Sequence, residues 1–308
     1  MSRAFDEVSL ASLELFCLAA EQESFTAAAH AAGLNPAAVS KAIAKLEVRL
    51  GVPLFARTTR KIRLTEAGRS YWTQCRQALN QLGEAEREIT GRQQSPSGTV
   101  RISMATPYAH YRVLPRIAAF HARYPDVHVD MHLSNRNIDF VAEGYDLGIR
   151  ARMQPDSGLV VRKLEDAPLV IVGSPAYLQR KGTPRTLEQL GEHDCIQFVL
   201  PSTGQPVAWM LRQYGKDLDV LTQGSSWCSE DPLGGITLAR HGAGLVQTYR
   251  FIVEEDLAQG RLVEVLDAYA GRSRPFSLLY PMRRHMPQRV RVLVDFLLET
   301  APGYLAPD

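Results

Sequence analysis

The 308-residue chain has few cysteines and no long apolar run. Cys17, Cys75, Cys195 and Cys228 are scattered, with no CxxC pair and no Cys/His spacing suited to zinc, so no metal centre is expected. A Cys195–Cys228 redox pair would need an activating environment that the sequence does not supply. No stretch approaches the roughly 18 apolar residues of a membrane span. The opening MSRAFDEVSL lacks the apolar core and small-residue cleavage site of a secretory signal. The chain is therefore expected in the cytoplasm, away from membranes, where reduced thiols are the rule. Enzyme signatures are missing too. There is no GxSxG, Walker A, HExxH or full dinucleotide-binding fingerprint, and Gly242-Ala243-Gly244 is a lone GxG that reads as a tight turn. Neither a catalytic residue nor a cofactor is expected.

Excess charge of one sign is also lacking overall, at +2 for the whole chain, but the charge is unevenly placed. Residues 1–35 carry one arginine against five acids, and residues 36–69 carry eight lysines and arginines against Glu47 and Glu66. Residues 70–97 and 98–308 each balance to zero. A basic stretch this confined is the electrostatic footprint of a phosphate-binding surface.

Leu10, Leu13, Phe16, Cys17 and Ala20 recur at helical spacing and predict a helix over 9–21. Ser24 offers an N-cap for a second helix through Thr26 to Ala32, whose small side chains admit a close helix crossing. Gly33 ends it and Leu34 fills the turn. Asn35 and Pro36 then supply a cap and a first-turn proline for a third helix to about Leu50. Val39, Ile43, Leu46 and Leu50 share its inner face, and Ala37, Ser40, Lys41 and Ala44 its outer face, flanked by Lys45 and Arg49. Two short helices joined by a glycine turn, the second basic outside, make a helix-turn-helix, which sets its second helix in the DNA major groove. Past Gly51, the run Arg57-Thr58-Thr59-Arg60-Lys61 between Phe55 and alternating Ile62 and Leu64 predicts a β-ribbon wing tipped with cations. Such a wing can follow the phosphates or enter a narrow minor groove.

The stretch from Phe16 through Ser24-Phe25-Thr26-Ala27-Ala28-Ala29, Pro36-Ala37-Ala38-Val39-Ser40-Lys41, Leu50-Gly51, Leu54-Phe55-Ala56-Arg57 and Leu64-Thr65-Glu66-Ala67-Gly68 resembles the LysR-type transcriptional regulators over about 50 positions. Many members open the recognition helix with Ser-Gln-Pro, where this chain has Asn35-Pro36-Ala37, so a glutamine able to read adenine is absent. The expected DNA-binding residues are Ser24, Thr26, Asn35, Pro36, Ala37, Ser40, Lys41, Ala44, Lys45, Arg49, Arg57, Thr58, Arg60 and Lys61.

Thr65 is placed to cap a long helix to about Arg92, with Leu64, Ala67, Tyr71, Cys75, Ala78, Leu82, Ala85 and Ile89 as one apolar seam. So long a helix needs a partner for that seam, and the resemblance implies dimerisation through it, with a tetramer or higher assembly expected. A dimer presents two recognition helices to two half-sites of promoter DNA. RNA polymerase would be a further partner of an activator.

After a polar hinge the pattern becomes alternating strands and helices. Val100–Met104, a helix over Pro107–Arg123 and Val127–Leu133 form a βαβ unit, which implies a parallel sheet. Further strands are expected at Asp146–Arg150, Leu169–Gly173, Cys195–Phe198, Gly244–Gln247 and Phe276–Tyr280, and a last helix at Pro287–Leu298. The expected fold is α+β and multidomain: a winged helix-turn-helix over 1–65, a linker helix over 66–93, a hinge at 94–98 and a regulatory domain over 99–301. The resemblance implies that this domain is like a periplasmic binding protein, with subdomain I at 98–167 and 268–301, subdomain II at 168–267, and a small-molecule effector between them. Ligands in such sheets sit beyond the strand ends. That rule nominates Thr106, Pro107, Asn135, Arg150, Phe198, Leu200, Ser229, Asp231, Gln247 and Tyr249. Thr106, at a helix N-terminus, and Arg150 would suit a carboxylate, and Ser229 is placed to cap a helix starting at Glu230.

Overall fold

The computed structural model describes residues 9–57, 62–89, 95–136, 139, 143–151, 158–201, 203–282 and 286–302. The chain divides into two compact units, residues 1–94 with 141–144, and residues 95–140 with 145–308.

In the first unit, α1 (Leu10–Gln22), α2 (Phe25–Ala31) and α3 (Pro36–Leu50) each start where a side-chain oxygen accepts an otherwise unpaired amide. Ser9 Oγ takes the Ser12 N–H, Ser24 Oγ that of Ala27, and Asn35 Oδ1 that of Ala38 at 2.8 Å. Phe16, Ala28, Ala29, Val39, Ile43 and Leu46 close the core between the helices. The carboxylate of Glu47, on α3, accepts the N–H groups of Leu54 (2.7 Å) and Phe55 (3.0 Å) and so anchors the wing to the recognition helix. The wing is β1 (Phe55–Arg57) paired antiparallel with β2 (Ile62–Leu64). Thr58, Arg60 and Lys61 lie outside the described residues.

Thr65 caps α4 (Glu66–Ile89): its hydroxyl accepts the Gly68 N–H at 2.9 Å and donates to the Pro53 carbonyl at 2.7 Å. A Cβ at residue 68 would lie 2.0 Å from the Leu54 carbonyl oxygen, so only glycine lets α4 pass this close to the wing. The expected apolar seam of α4 is divided. Cys75 is buried and Tyr71 is packed in the unit's own core, where Phe16 meets both Tyr71 and Phe55 at 5.6 Å. An Arg76–Glu21 ion pair ties α4 to α1. Ala78 and Leu82 are exposed, so of the expected seam only its upper part is covered by the unit's own core among the described residues.

The second unit is built on a seven-stranded mixed sheet. β3 (Gly98–Met104) pairs in parallel with β4 (Val127–Leu133) and β5 (Leu147–Arg150), as the βαβ pattern implies. The sheet is not wholly parallel, because β6 (Leu159–Gly173) and β13 (Ser273–Pro281) run antiparallel to each other, and β13 is antiparallel to β5. β6 is one continuous strand with two sets of partners. Through Pro168 it pairs with β13; from Leu169 it pairs with β11 (Val246–Tyr249) and then β12 (Val263–Val265). A proline is tolerated at this change of partners because the ladder there can spare one donor.

The helix expected over Pro107–Arg123 is a succession of turns: α5 (Thr106–Tyr108), a π-turn (Ala109–Val113), a 3-10 turn (Leu114–Arg116) and α6 (Ile117–Arg123). Pro115 explains the break after the π-turn, since its ring denies the backbone an N–H. The π-turn aims Arg112 at Glu165 on β6, with two bonds of 2.9 Å, and stacks its guanidinium 4.6 Å over the Phe251 ring.

Further helices and strands among the described residues are α7 (Pro175–Lys181), β7 (Gln197–Val199), the hairpin β8 (Trp209–Gln213) and β9 (Lys216–Val220), β10 (Trp227–Ser229), α8 (Leu233–Arg240), α9 (Arg250–Ala258) and α10 (Gln288–Glu299). The strand expected at Gly244–Gln247 begins two residues later. Gly244 and Leu245 are used instead against the 194–196 segment, with Leu245 N–H to Asp194 O at 2.9 Å and Ile196 N–H to Leu245 O at 2.8 Å. Likewise Cys195 forms only an isolated bridge with Leu245, and the strand expected at Cys195–Phe198 runs from Gln197 to Val199. Between α8 and α9, the buried Asp256 is gripped by Arg240 (2.6 Å) and Arg261 (2.6 Å).

Candidate functional site

Two surfaces carry the chemistry. On the first unit, Thr26, Asn35, Pro36, Ala37, Lys41, Lys45 and Arg49 are exposed, while Ser24, Ser40 and Ala44 are half-buried. Ala37, Lys41, Lys45 and Val48 recur at three- and four-residue steps and form one continuous outer stripe of α3. Val48, 82% exposed, is an apolar member of this face that the sequence pattern did not nominate. The side chains of Ser24 and Asn35 are committed to their caps, so both act first on the helix ends that present this face.

On the second unit, a cavity of about 820 Å³ opens at the C-terminal ends of the parallel strands, where β3 gives way to Ala105, β4 to Asn135 and β5 to Ala151. Pro107, Asn135, Arg150, Phe198, Leu200, Gln247 and Tyr249 all line it. Thr106, Ser229 and Asp231 do not. The Thr106 N–H, expected to face an anion, donates to Asn135 Oδ1 at 3.1 Å, and its hydroxyl accepts from Asn135 Nδ2 at 3.1 Å. Ser229 ends β10 and caps nothing. The helix starts at Leu233, three residues later than expected, and the capping oxygen is Asp231 Oδ1, 3.0 Å from the Leu233 N–H. Glu230, in a left-handed conformation (φ 65°), puts the kink before the helix and joins the cavity wall.

Arg150 is 5% exposed and holds the wall together. Its Nη1 donates to Ser103 O (3.0 Å) and Ile149 O (2.9 Å), and its Nη2 to Ser103 Oγ (2.7 Å). Gln247 brackets the Met210 backbone, accepting its N–H at 2.8 Å and donating to its carbonyl at 2.9 Å, and so fastens the β8–β9 hairpin beside the cavity. Asn135 Nδ2 also donates to the Glu230 carbonyl at 2.6 Å, a link across the cavity mouth. Residues that the sequence reading missed include Arg274 and Phe276 on β13, Trp209 and Met210 on β8, and Asp219 on β9. The alternating pattern around Tyr214-Gly215 was a usable hairpin signal for β8–β9; nothing local marks Arg274.

The Tyr249 phenol is pushed up by burial, against the opposing pull of Arg274. Burial drives the Cys195 thiol up to about 12 and raises that of Cys228, so neither has the activated thiolate that a redox pair requires. Among the described residues there is no group of three or more His, Cys, Asp or Glu able to hold a metal ion, and no helix long and apolar enough to cross a membrane.

A capped helix-turn-helix with a basic outer stripe, followed by an α/β unit with a cavity at its strand ends, defines a ligand-responsive DNA-binding regulator. Residues 10–69 match the family model described as a bacterial regulatory helix-turn-helix protein of the lysR family, and residues 93–302 match the LysR substrate binding domain. The chain belongs to the LysR family of transcriptional regulators, and it is not an enzyme. It is 34% identical over 297 residues to the probable HTH-type transcriptional regulator LtrA of Klebsiella pneumoniae, covering 96% of this chain and 95% of that one. It is 31% identical over 288 residues to CrgA of Neisseria meningitidis serogroup B, covering 93% and 95%. Among solved structures, that of CrgA, a LysR-type regulator from N. meningitidis, matches with TM-score 0.60 at 29% identity over 95% of this chain and 99% of that one. The full-length Vibrio cholerae virulence activator AphB matches with TM-score 0.61 at 28% identity over 97% and 100%.

Proposed function

We propose that this regulator binds double-stranded promoter DNA in the cytoplasm as a homodimer or higher oligomer, and that a small molecule in the 820 Å³ cavity modulates that binding. The exposed stripe of α3 is the carrying observation: Ala37, Lys41 and Lys45 stand clear of the core at the spacing a major-groove helix presents. Ser40 reaches DNA from the edge of the stripe, and Arg57, Arg60 and Lys61 supply wing contacts to phosphate. With no adenine-reading glutamine at the start of α3, base discrimination falls to Ser40, Lys41, methyl contacts from Ala37 and Val48, and DNA shape. Dimerisation uses the lower part of α4, from Ala78 onward, and RNA polymerase is a further partner if the protein activates. The functional parts follow as 1–65 for DNA, 66–93 for self-association, 94–98 as hinge, and 99–301 for the effector, with subdomains 98–167 plus 268–301 and 168–267.

Sequencing of genomic fragments retained by the full chain tests this reading. Enrichment of one or a few intergenic regions, lost in Lys41→Glu while the oligomer persists, is the expected result. Uniform recovery of all fragments, or an unchanged Lys41→Glu footprint, overturns it.

A further inference from the structure

Arg274 sits on β13 opposite Ala167 of β6, next to the point where β6 changes partners, and it lines the cavity. Its Nε–H donates to the thioether sulfur of Met210 at 3.1 Å, and its charge is felt by the Tyr249 phenol nearby. Both groups are neutral. Asp219, the acid on the neighbouring wall, pairs with Arg272 instead, and no ion pair to Arg274 is present among the described residues. A thioether is a weak, uncharged acceptor, whereas a carboxylate brings a full negative charge and two oxygens that a guanidinium fork can engage together. The sulfur therefore occupies a position that an anionic oxygen would fill better. It is also movable: Gln247 holds the Met210 backbone at both its polar groups, so the unbranched side chain can swing while the hairpin stays in place. Beside this cation the cavity is walled by the apolar rings of Phe198, Trp209 and Tyr249, with the fully buried Phe276 ring packed behind Tyr249 at a centroid distance of 5.0 Å. Asp219 and Glu230 on the same wall oppose a second negative charge.

Resting on the reading of this cavity as the effector site, we propose that Arg274 is its anion anchor and that the ligand is an aromatic monocarboxylate whose carboxylate displaces the Met210 sulfur from the guanidinium. Arg150, which the strand-end rule nominated for this task, braces β3 against β5 instead.

The test is calorimetric titration of the full-length protein with benzoate, 2-hydroxybenzoate and phenylacetate, each paired with its neutral amide. Each acid that binds should do so roughly tenfold or more tightly than its amide. Arg274→Gln should erase that preference by weakening the acid alone, the unchanged amide affinity showing that the cavity is intact. Arg274→Lys should retain part of the preference, and Met210→Leu should bind the acid at least as well as wild type. Equal binding of acid and amide, a preference that survives Arg274→Gln, or no binding of any acid at millimolar concentration overturns the proposal. Ala208→Trp, which puts an indole into the cavity beside Trp209 and Met210 and crowds the space next to Arg274, separates the two readings. If it abolishes acid and amide binding while Arg274→Gln keeps the preference, the anchor fails and the cavity stands. If acid binding survives Ala208→Trp, the cavity itself is not the site.

Discussion

The outer stripe of α3 and the cavity at the strand ends, the two surfaces proposed to carry function, are built on opposite plans. The stripe is one side of one helix: Ala37, Lys41, Lys45 and Val48 face outward while Val39, Ile43 and Leu46 face the core, so contact and support fall to different residues. The cavity takes its wall from strand ends far apart in the chain, and its polar residues are also its braces. Arg150 ties β3 to β5, Gln247 holds the hairpin, and Asn135 joins Thr106 to Glu230. The lesson is that function and stability separate on α3 and coincide in the cavity.

That contrast can be broken or sharpened by mutation, taken here in order of expected cost to stability. Arg150→Ala removes three hydrogen bonds, to Ser103 O, Ile149 O and Ser103 Oγ, of which the Ile149 carbonyl keeps a second partner in the Ala105 N–H, and should cost about 3 kcal/mol. A chemical-denaturation midpoint for the second unit equal to wild type would show that the cavity wall does not need its cation. Asp256→Asn comes next, at about 2 kcal/mol for the loss of a charged partner to two arginines. Burial pushes the Asp256 carboxyl up, but hydrogen bonds from Arg240 and Arg261 outweigh it and hold the group below its ordinary 3.8. A depressed carboxylate contributes stability above its unfolded value and loses it as pH falls through the folded one. The wild type should therefore lose stability below about pH 4 more steeply than Asp256→Asn, and parallel melting curves from pH 5 to 2.5 would contradict this. Asn35→Ala removes one cap and should cost about 1 kcal/mol in the first unit alone. Lys41→Glu should move the melting temperature least, within about 0.5 kcal/mol, yet abolish specific binding in a footprinting assay. A destabilised Lys41→Glu would erase the separation claimed for α3.

The same contrast explains what could be read before the structure. The caps at Ser24, Asn35 and Thr65 and the inner face of α3 were legible because each is a local rule, settled within four residues. Glu47 was not: its role depends on Leu54 and Phe55 returning to its carboxylate seven and eight residues later. In the regulatory unit, strand ends located the cavity but could not say which polar groups were already engaged. Thr106 looked available for an anion because its partner, Asn135, is 29 residues away. Arg274 was invisible because its surroundings come from β8 and β11, distant strands that meet it only in the folded sheet.

The π-turn at Ala109–Val113 carries a consequence for sequence change in this region. A π-turn is one residue inserted into a helical repeat, and each residue turns a helix by about 100°. Deleting a residue here would restore the ordinary repeat, but it would rotate Arg112 away from both Glu165 and the Phe251 ring relative to α6. The length of this segment is therefore as constrained as the identity of Arg112, because both are needed to bring the guanidinium to Glu165. It is a place where counting residues matters as much as choosing them.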